Sequence, residues 1–372
     1  MQIELFMNYV SQLGVHTISG VPDSQLKVLC DYLNENKEMP FVHHVACNEG
    51  NAIGIAAGSY LATGKPAMVY MQNSGIGNII NPLASLTHAD VYDIPVLLVV
   101  GWRGEPGIHD EPQHVFQGKV TIKLLEDMDV KTFEISKDSD EVSLSNMFKE
   151  IDQLLKDNMK VAIVVHKGCF EGNKTKYKNN YLFTRENAIA CILKAIDSKD
   201  KVFSTTGKIS REVYECANSI LGNHKQMFLT VGSMGHTSMI AYGYACEKPQ
   251  TRVWCMDGDG AVCMHMGGLA FLGNEKPSNM IHIVLNNEAH ESVGGMPTSA
   301  VGISYSEIAK TCGYSFSIKV SNEEELIDAL NVVKENHQLS MIEVLVALGS
   351  RDDLGRPKET PKENKEMFMG EN

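Results

Sequence analysis

The sequence VWCMDGDG occupies positions 253–260, and IHIVLNN occupies positions 281–287. Each stretch begins with apolar residues, which are typical of a buried strand, and ends in small or polar residues, which are typical of a turn. The 25 residues at positions 261–285 are enough for one helix and one returning strand. The pattern therefore predicts a β-α-β unit in which Asp259 and Asn287 follow the carboxyl ends of two adjacent parallel strands, where open α/β sheets bind ligands.

The polar residues at these two strand ends are of the kinds that bind a divalent cation and an anion. Asp259 and Asn287 offer the oxygen ligands that Mg²⁺ prefers. Gly258 and Gly260 have no side chain, so the backbone can approach a bulky anion closely. Gly-Asp-Gly alone would be read as a turn, and Asn-Asn alone as the end of a strand. Together, at this spacing, they favour a binding site.

Strand and helix patterns alternate on both sides of a polar stretch in the middle of the chain. The sequence GCFEGNKTKYKNNYL at 168–182 has no hydrophobic periodicity, and we interpret 171–183 as a linker. Repeated β-α units imply open parallel sheets. The sequence therefore predicts an α/β protein of two successive open parallel-sheet domains, at 1–170 and 184–372. The charged end, 350–372, is predicted to be a surface segment.

Composition and charge exclude several classes of protein. The 372 residues are 43% hydrophobic and 21% charged, which argues against disorder. The net charge of −13, without a dense basic run, makes nucleic acid and anionic membranes poor partners. No apolar stretch approaches the ~18–20 residues that span a bilayer. No secretory signal is recognisable, and nine widely spaced cysteines without Cys-x-x-Cys argue against a disulfide framework or a zinc site, so we expect a cytoplasmic protein.

The Gly-Asp-Gly and Asn-Asn motifs resemble those of the thiamine diphosphate enzymes. The resemblance implies a pyrimidine domain at 1–170 and a diphosphate domain at 184–372, with no room for the middle domain of larger decarboxylases. It implies thiamine diphosphate and Mg²⁺ as cofactors, with Asp259, Asn287 and the carbonyl of Ala289 as the metal ligands. Because these enzymes build each cofactor site from two subunits, it also implies a homo-oligomer, at least a dimer, with active sites between subunits.

A glutamate at the start of an Ala-rich helix extends the resemblance. Glu49 matches the helix-borne glutamate that, in these enzymes, supports the imino form of the aminopyrimidine. An isolated glutamate at this place would otherwise be only a favourable partner of the helix dipole. Met234 matches the apolar residue that bends the cofactor. The other cofactor-binding residues that the resemblance implies are Gln72, Asn73, Ser74, Gly207, Gly232, Gly258 and Gly260, with Gly75 and Asn78 in the same helix-start loop as Asn73.

Further stretches are similar to the short, two-domain phosphonopyruvate decarboxylase family, next to which stand the sulfopyruvate decarboxylases. They include GVPDSQLK at 20–27, YMQNSGIGNIINP at 70–82 and GWRGEPGIHDEPQHVFQG at 101–118. The implied reaction is decarboxylation of 3-phosphonopyruvate to phosphonoacetaldehyde and CO₂, a step in phosphonate biosynthesis. Two positions depart from the family pattern: Met296 stands where glutamine is expected, and Glu288 where glycine is commoner.

Such a substrate is a trianion, so a chain of net negative charge must bind it with a few locally placed donors. The candidate substrate-binding residues are Arg103, Lys27, Lys208 and Ser24, with the backbone amides that follow Asp23. Each lysine could equally be a solvated surface group. The candidate acid–base groups are Asp23, His114 and His290, the histidines because imidazole titrates near pH 7.

The motifs leave several functions open. A sulfopyruvate decarboxylase, a decarboxylase of another 2-keto acid and a carboligase would all carry the same cofactor residues. A non-catalytic cofactor-binding or partner-binding protein would be expected to have lost Glu49, Asp259 or Asn287, which are all present. A requirement for a partner subunit also stays open.

Overall fold

The computed structural model describes residues 1–36 and 40–370, and the chain divides into two compact units, Met1–Lys176 and Tyr177–Asn372. The division falls inside the stretch that we interpret as a linker. Both units are α/β, as the sequence predicts. Within the described ranges, no helix is long and apolar enough to cross a membrane. All nine cysteines are free thiols.

The first unit contains a six-stranded parallel sheet in the order β2-β1-β3-β4-β6-β5. Its strands are β1 (Thr17–Gly20), β2 (Val42–Val45), β3 (Ala67–Gln72), β4 (Val96–Gly101), β5 (Val130–Ile135) and β6 (Lys160–Val165). Its helices are α1 (Ile3–Gln12), α2 (Lys27–Glu35), α3 (Glu49–Thr63), α4 (Ile76–Ser85), α5 (Pro112–Glu126) and α6 (Glu141–Lys156). Strand β4 is buried along its whole length between β3 and β6, which explains its unbroken apolar sequence.

The second unit also contains a six-stranded parallel sheet, in the order β13-β14-β10-β9-β7-β8. Its strands are β7 (Lys201–Ser204), β8 (Met227–Leu229), β9 (Val253–Gly258), β10 (Met280–Asn286), β13 (Phe316–Val320) and β14 (Ser340–Leu345), with a separate hairpin of β11 (Ala289–His290) and β12 (Met296–Pro297). Its helices are α7 (Arg185–Ala195), α8 (Lys208–Ile220), α9 (Thr237–Glu247), α10 (Asp259–Met264), α11 (Gly267–Glu275), α12 (Tyr305–Cys312), α13 (Glu323–Glu335) and α14 (Pro361–Gly370). Adjacent β9 and β10 end in the two motifs that open the sequence analysis.

The end of the chain differs from the predicted surface segment. Its last ten described residues form α14, and Phe368 is only 4% exposed. The Phe368 ring packs against Phe203, Phe228 and Tyr244, and Lys201 Nζ donates to the Phe368 carbonyl at 3.1 Å. Charged residues on the exposed side of α14 hide this contact in the sequence, because few apolar residues are needed to anchor one short helix.

Candidate active site

Glu49 is the first residue of α3, and its carboxyl group is buried at 4% exposure. Asn48 caps the helix by accepting a hydrogen bond from Asn51 N at 2.9 Å. Asn78 Nδ2 donates to Glu49 Oε2 at 2.6 Å. Burial raises the pKa of Glu49, and the bond from Asn78 opposes that rise. The result is a rigidly held carboxyl group whose raised pKa favours its holding a proton more than an exposed glutamate does.

Gly75 gives the Glu49 carboxyl group its space. A Cβ at position 75 would lie 2.6 Å from Glu49 Cγ, which is well inside van der Waals contact. Glycine is therefore required where the loop after β3 passes over the start of α3. Among the residues that the structure describes, no lysine or arginine forms an ion pair with Glu49.

Asn73, predicted to bind the cofactor, has a side chain whose hydrogen-bonding groups are engaged within the protein. Asn73 is fully buried, and its Nδ2 donates to Arg103 O at 2.7 Å and to Thr121 Oγ1 at 2.8 Å. Its Oδ1 accepts from Arg103 N at 3.2 Å. The side chain thus ties the loop after β3 to the loop after β4 and has no donor left for a ligand. Gln72 and Ser74 are more exposed and bond to each other at 2.5 Å.

Arg103 lies in the loop after β4, where the sequence predicts a substrate cation. Its Nε and Nη2 donate to the two carboxylate oxygens of Asp110 at 2.7 and 2.5 Å, and its Nη1 donates to Ser24 Oγ at 3.1 Å. Asp110 also accepts from the backbone N–H groups of Gly104 and Glu111. Burial alone would raise the pKa of Asp110, but these hydrogen bonds hold it below its usual value.

Sequence reasoning missed Asp110, whose role is visible only from its contacts. The one available signal is its place seven residues after Arg103 in the same Gly- and Pro-containing loop. The bidentate pair aligns the guanidinium plane and leaves the Nη1 edge, together with Ser24, facing away from the carboxylate. The structure therefore brings Arg103 and Ser24 together, as a shared anion site requires.

Asp23 is buried beside this pair. Its Oδ2 accepts from Gln25 N at 3.1 Å and from Leu26 N at 3.3 Å, so these two amides, expected as substrate donors, already have an acceptor. Its Oδ1 is buried without a hydrogen-bond partner in the described part of the chain. Burial raises the pKa of Asp23 to about 6, although Arg103 acts in the opposite direction.

Lys27 and His114 fit their predicted roles less well. Lys27 Nζ bonds to the buried Asp31 carboxylate at 2.7 Å and to Thr175 O at 3.3 Å, so its charge is largely neutralised. His114 is buried on α5, and burial followed by the nearby Arg103 lowers its pKa to about 4. A neutral imidazole can accept or donate a hydrogen bond, but it is a poor proton donor at pH 7.

Asp259 and Asn287 lie together at the ends of β9 and β10. Asp259 is 3% exposed, and Thr298 Oγ1 donates to its Oδ2 at 2.7 Å. Burial raises the pKa of Asp259 to about 7, while bonds from Thr298 and from the backbone N–H groups of Gly260 and Asn287 oppose the rise. Along the described chain no basic side chain pairs with this carboxyl group, so a bound cation fits it.

The Asn287 amide is held by its neighbours. Its Nδ2 donates to Glu291 Oε2 at 2.7 Å, and its Oδ1 accepts from Ala289 N at 3.1 Å, which leaves a second lone pair on Oδ1 for a metal ion. Glu291 in turn bonds to Arg185, which binds Glu212 through two hydrogen bonds of 2.6 and 2.8 Å. Sequence reasoning missed this buried network.

Lys208, a predicted substrate cation, forms an ion pair with Glu291 at 3.1 Å. Its charge therefore belongs to the network that holds Asn287. Gly207, directly before α8, has a φ of +96°, and Gly232 has a φ of +70° and donates its N–H to Thr206 Oγ1 at 3.1 Å. Both positions need glycine because other residues rarely adopt these angles.

Met234 and His290 line the space beside Gly260. A Cβ at position 260 would lie 3.4 Å from Met234 Cε and from His290 Nδ1, so any side chain there would crowd this space. Burial lowers the pKa of His290 to about 4, which makes it a neutral imidazole at pH 7. Met296 is buried and pairs with His290 in the β11–β12 hairpin.

Glu288 shows why glycine is commoner at its position in the resembling family. Its φ is +57°, in the left-handed region that a non-glycine residue enters at a cost. Its carbonyl accepts from Thr298 N at 2.9 Å, and Thr298 bonds to Asp259. The departure from glycine thus leaves the backbone of the loop that carries Asn287 and Ala289 bonded to Thr298.

Comparisons with known proteins find a family model that matches part of each unit. Residues 3–128 match the family model "Thiamine pyrophosphate enzyme, N-terminal TPP binding domain", and residues 206–344 match the model "Thiamine pyrophosphate enzyme, C-terminal TPP binding domain". The two models cover most of the chain, and the residues between them match neither.

Relatives that align with nearly the whole chain show which thiamine pyrophosphate enzymes it is similar to. Phosphonopyruvate decarboxylase of Streptomyces viridochromogenes is 33% identical, over 96% of this chain and 91% of the relative. The enzyme of the same name from Streptomyces hygroscopicus is 30% identical, over 96% and 90%. Sulfopyruvate decarboxylase of Methanosarcina acetivorans is 28% identical, over 98% and 96%. The chain belongs to the thiamine pyrophosphate-dependent decarboxylases, in the family that contains the phosphonopyruvate and sulfopyruvate decarboxylases.

Proposed function

We propose that the chain decarboxylates 3-phosphonopyruvate to phosphonoacetaldehyde and CO₂, with thiamine diphosphate and Mg²⁺ as cofactors, as a step in phosphonate biosynthesis. The observation that carries the proposal is the buried, hydrogen-bonded Glu49 carboxyl group, in a chain related to phosphonopyruvate decarboxylases over 96% of its length. The Asp259–Asn287 pair and the Arg103–Ser24 pair support it.

The chain's own residues would divide the work of cofactor binding. Asp259, Asn287 and the Ala289 carbonyl would hold Mg²⁺, and Gly258 and Gly260 would let the backbone approach the diphosphate. Glu49 would share a proton with the aminopyrimidine ring, a role that suits a buried carboxyl group of raised pKa. When bound, thiamine diphosphate supplies the carbon nucleophile and the electron sink for loss of CO₂.

Arg103 and Ser24 would bind the phosphonate. Arg103 Nη1, which does not bond to Asp110, and the hydroxyl of the exposed Ser24 are the donors of this cluster. Asp23 would hold the proton that replaces CO₂, because its Oδ1 lacks a partner and its pKa of about 6 allows protonation near neutral pH. His114 and His290 would act as neutral hydrogen-bonding groups.

A comparison of three keto acids tests the proposed substrate. We expect kcat/KM to be highest for 3-phosphonopyruvate, lower for 3-sulfopyruvate, which carries one charge less, and lowest for pyruvate. CO₂ release and aldehyde formation are to be followed with the purified chain, thiamine diphosphate and Mg²⁺. A higher kcat/KM on sulfopyruvate or pyruvate would replace the proposed substrate, and a ligated product formed with an added aldehyde would indicate a carboligase.

Asp110→Asn is expected to raise the KM for the keto acid by about 10- to 150-fold, since a hydrogen bond to a charged group contributes about 1.5–3 kcal/mol. The neutral amide can accept only one of the two guanidinium bonds, so Arg103 loses its fixed plane. We expect a smaller change in kcat, because Asp110 does not contact Asp23 or Glu49. Steady-state kinetics check this, with Asp127→Asn as a control for an exposed carboxylate that pairs with a lysine. An unchanged KM would remove Arg103 from the substrate site.

We also propose that the chain forms a homo-oligomer in which Glu49 of one subunit serves the diphosphate domain of another. A mixed dimer of one Glu49→Gln chain and one Asp259→Ala chain would then contain one intact site. Purified through two different tags, it is expected to recover about half of the wild-type activity per dimer, while each variant alone is inactive. An inactive mixed dimer, or a fully active monomer, would contradict shared sites.

A further inference from the structure

Three side chains of the types that bind metal ions in proteins lie close together inside the second unit, outside the site described above. Cys255 and Asp257 are on β9, and His282 is on β10, directly paired with Cys255. Alternate residues of a strand point to the same face, so all three share one face of the sheet. Their sulfur, carboxylate and imidazole atoms lie within 4.8 Å of one another, and all three residues are buried.

The carboxylate of this cluster has no lysine or arginine partner in the described part of the chain. Asp257 is 1% exposed, and within residues 1–36 and 40–370 no lysine or arginine forms an ion pair with it. His282 Nε2 faces Asp257 Oδ2 at 3.6 Å, which is too long for a hydrogen bond, and this nitrogen is buried without any partner. A buried carboxylate beside an unpartnered ring nitrogen is costly unless a cation binds both.

The surrounding groups orient these atoms toward a common point. His282 Nδ1 bonds to Tyr314 Oη at 3.1 Å, which fixes the ring and leaves Nε2 directed at Asp257. Asp257 Oδ1 accepts from Gly258 N at 3.1 Å, which leaves Oδ2 toward His282. Metal-binding histidines usually have their second nitrogen held by such a partner.

We propose that Cys255, Asp257 and His282 bind a divalent first-row transition metal ion, for which zinc is the best match. Thiolate, imidazole and carboxylate are its common protein ligands. On binding, the Cys255 thiol releases its proton to solvent and its sulfur bonds to the metal, and no atom is oxidised or reduced. The ion would link β9 and β10 at positions that precede Asp259 and Asn287 in the chain.

Cysteine spacing could not reveal such a site. The absence of Cys-x-x-Cys argues against zinc only when cysteines supply the ligands in pairs. Here one cysteine and one aspartate stand two positions apart on a strand, and the histidine comes from the neighbouring strand. Their proximity follows from the register of the sheet.

Metal analysis of the full chain tests the proposal. The protein is produced in zinc-free medium with Co²⁺, dialysed against Mg²⁺ buffer, and measured by elemental analysis and absorption spectroscopy. We expect about one cobalt per chain and a near-ultraviolet thiolate-to-cobalt absorption band. Cys255→Ser is expected to abolish the band and lower bound cobalt at least about tenfold, whereas Cys191→Ser, which changes another buried thiol of this unit, keeps both.

Each contrary result overturns the proposal, whatever the activity of the enzyme. Wild-type protein with less than about 0.1 transition metal per chain, in cobalt or in zinc medium, shows that the cluster does not bind such an ion. Cobalt that survives Cys255→Ser but is lost in Asp259→Asn belongs to the predicted Mg²⁺ site. Should Cys255→Ser not fold, the wild-type metal content and band still decide, and His282→Gln provides the second variant.

Discussion

Glu49→Gln is expected to lower kcat by about 10²- to 10⁴-fold, the usual contribution of a positioned acid–base group, while the variant still binds thiamine diphosphate. The amide keeps the size of the side chain and can still meet Asn78, but it cannot exchange a proton with the aminopyrimidine. Steady-state rates and calorimetric titration of thiamine diphosphate with Mg²⁺ separate the two effects.

Glu141→Gln is the matched control. Glu141 is also the first residue of a helix in the same unit, and the preceding Asp140 caps that helix by accepting a hydrogen bond from Ser143 N. Unlike Glu49, Glu141 is exposed. If Glu49 served only the helix dipole, both substitutions would have similar small effects on stability and none on kcat. A Glu49→Gln enzyme with near-normal kcat would therefore contradict the catalytic assignment.

Asp259→Asn is expected to raise the Mg²⁺ concentration needed for half-maximal activity by more than about 100-fold. Loss of a residue that only supports a metal ligand already lowers metal affinity by about 10- to 100-fold, and here the charged ligand itself is lost. The amide can still accept from Thr298, so the fold of the loop is kept while the charged ligand is lost. Cofactor affinity should fall in parallel, because in the proposed site the metal ion held by Asp259 and Asn287 would help to bind the diphosphate. Activation curves in Mg²⁺ and direct titrations with thiamine diphosphate measure both.

Asp200→Asn is the control that distinguishes the effect of losing a metal ligand from the effect of losing a buried carboxylate in general. Asp200 is 6% exposed and accepts from Trp254 Nε1 at 2.8 Å in the same unit. We expect this variant to change thermal stability and leave the Mg²⁺ requirement near its wild-type value. Equal Mg²⁺ requirements for Asp259→Asn and wild type would show that the Gly-Asp-Gly motif was misread.

The sequence predicts those parts of the site that depend on local pattern. Asp259 and Asn287 each follow an apolar strand, and Glu49 opens a helix, so their placement at strand and helix ends follows from chain order alone. The class of fold follows from the same alternation of strands and helices. The alternation of apolar strands and helices does not predict β5, because its sequence, VKTFEI, is half polar, as an edge strand allows.

The partners of the site residues could not be predicted, because they come from distant parts of the chain. Asp110 is recognisable only once it meets Arg103, and Glu291 only once it joins Arg185 to Asn287. The resemblance predicts Asn73 at the cofactor because its neighbours in sequence match a motif. The structure uses its side chain to join two loops, a role that depends on where Thr121 on α5 lies.

The overlap between a side chain at position 75 and the Glu49 carboxyl group makes substitutions at the two positions depend on each other during evolution. Every single-nucleotide change of a glycine codon that alters the residue either adds a Cβ or creates a stop codon. While Glu49 is kept in its present position, each residue that such a change could place at position 75 would overlap the Glu49 side chain. A lineage that has lost Glu49 is released from that restriction. Among sequences derived from this chain, a residue other than glycine at position 75 should therefore occur together with loss of Glu49, even where Gly258, Asp259 and Gly260 are kept.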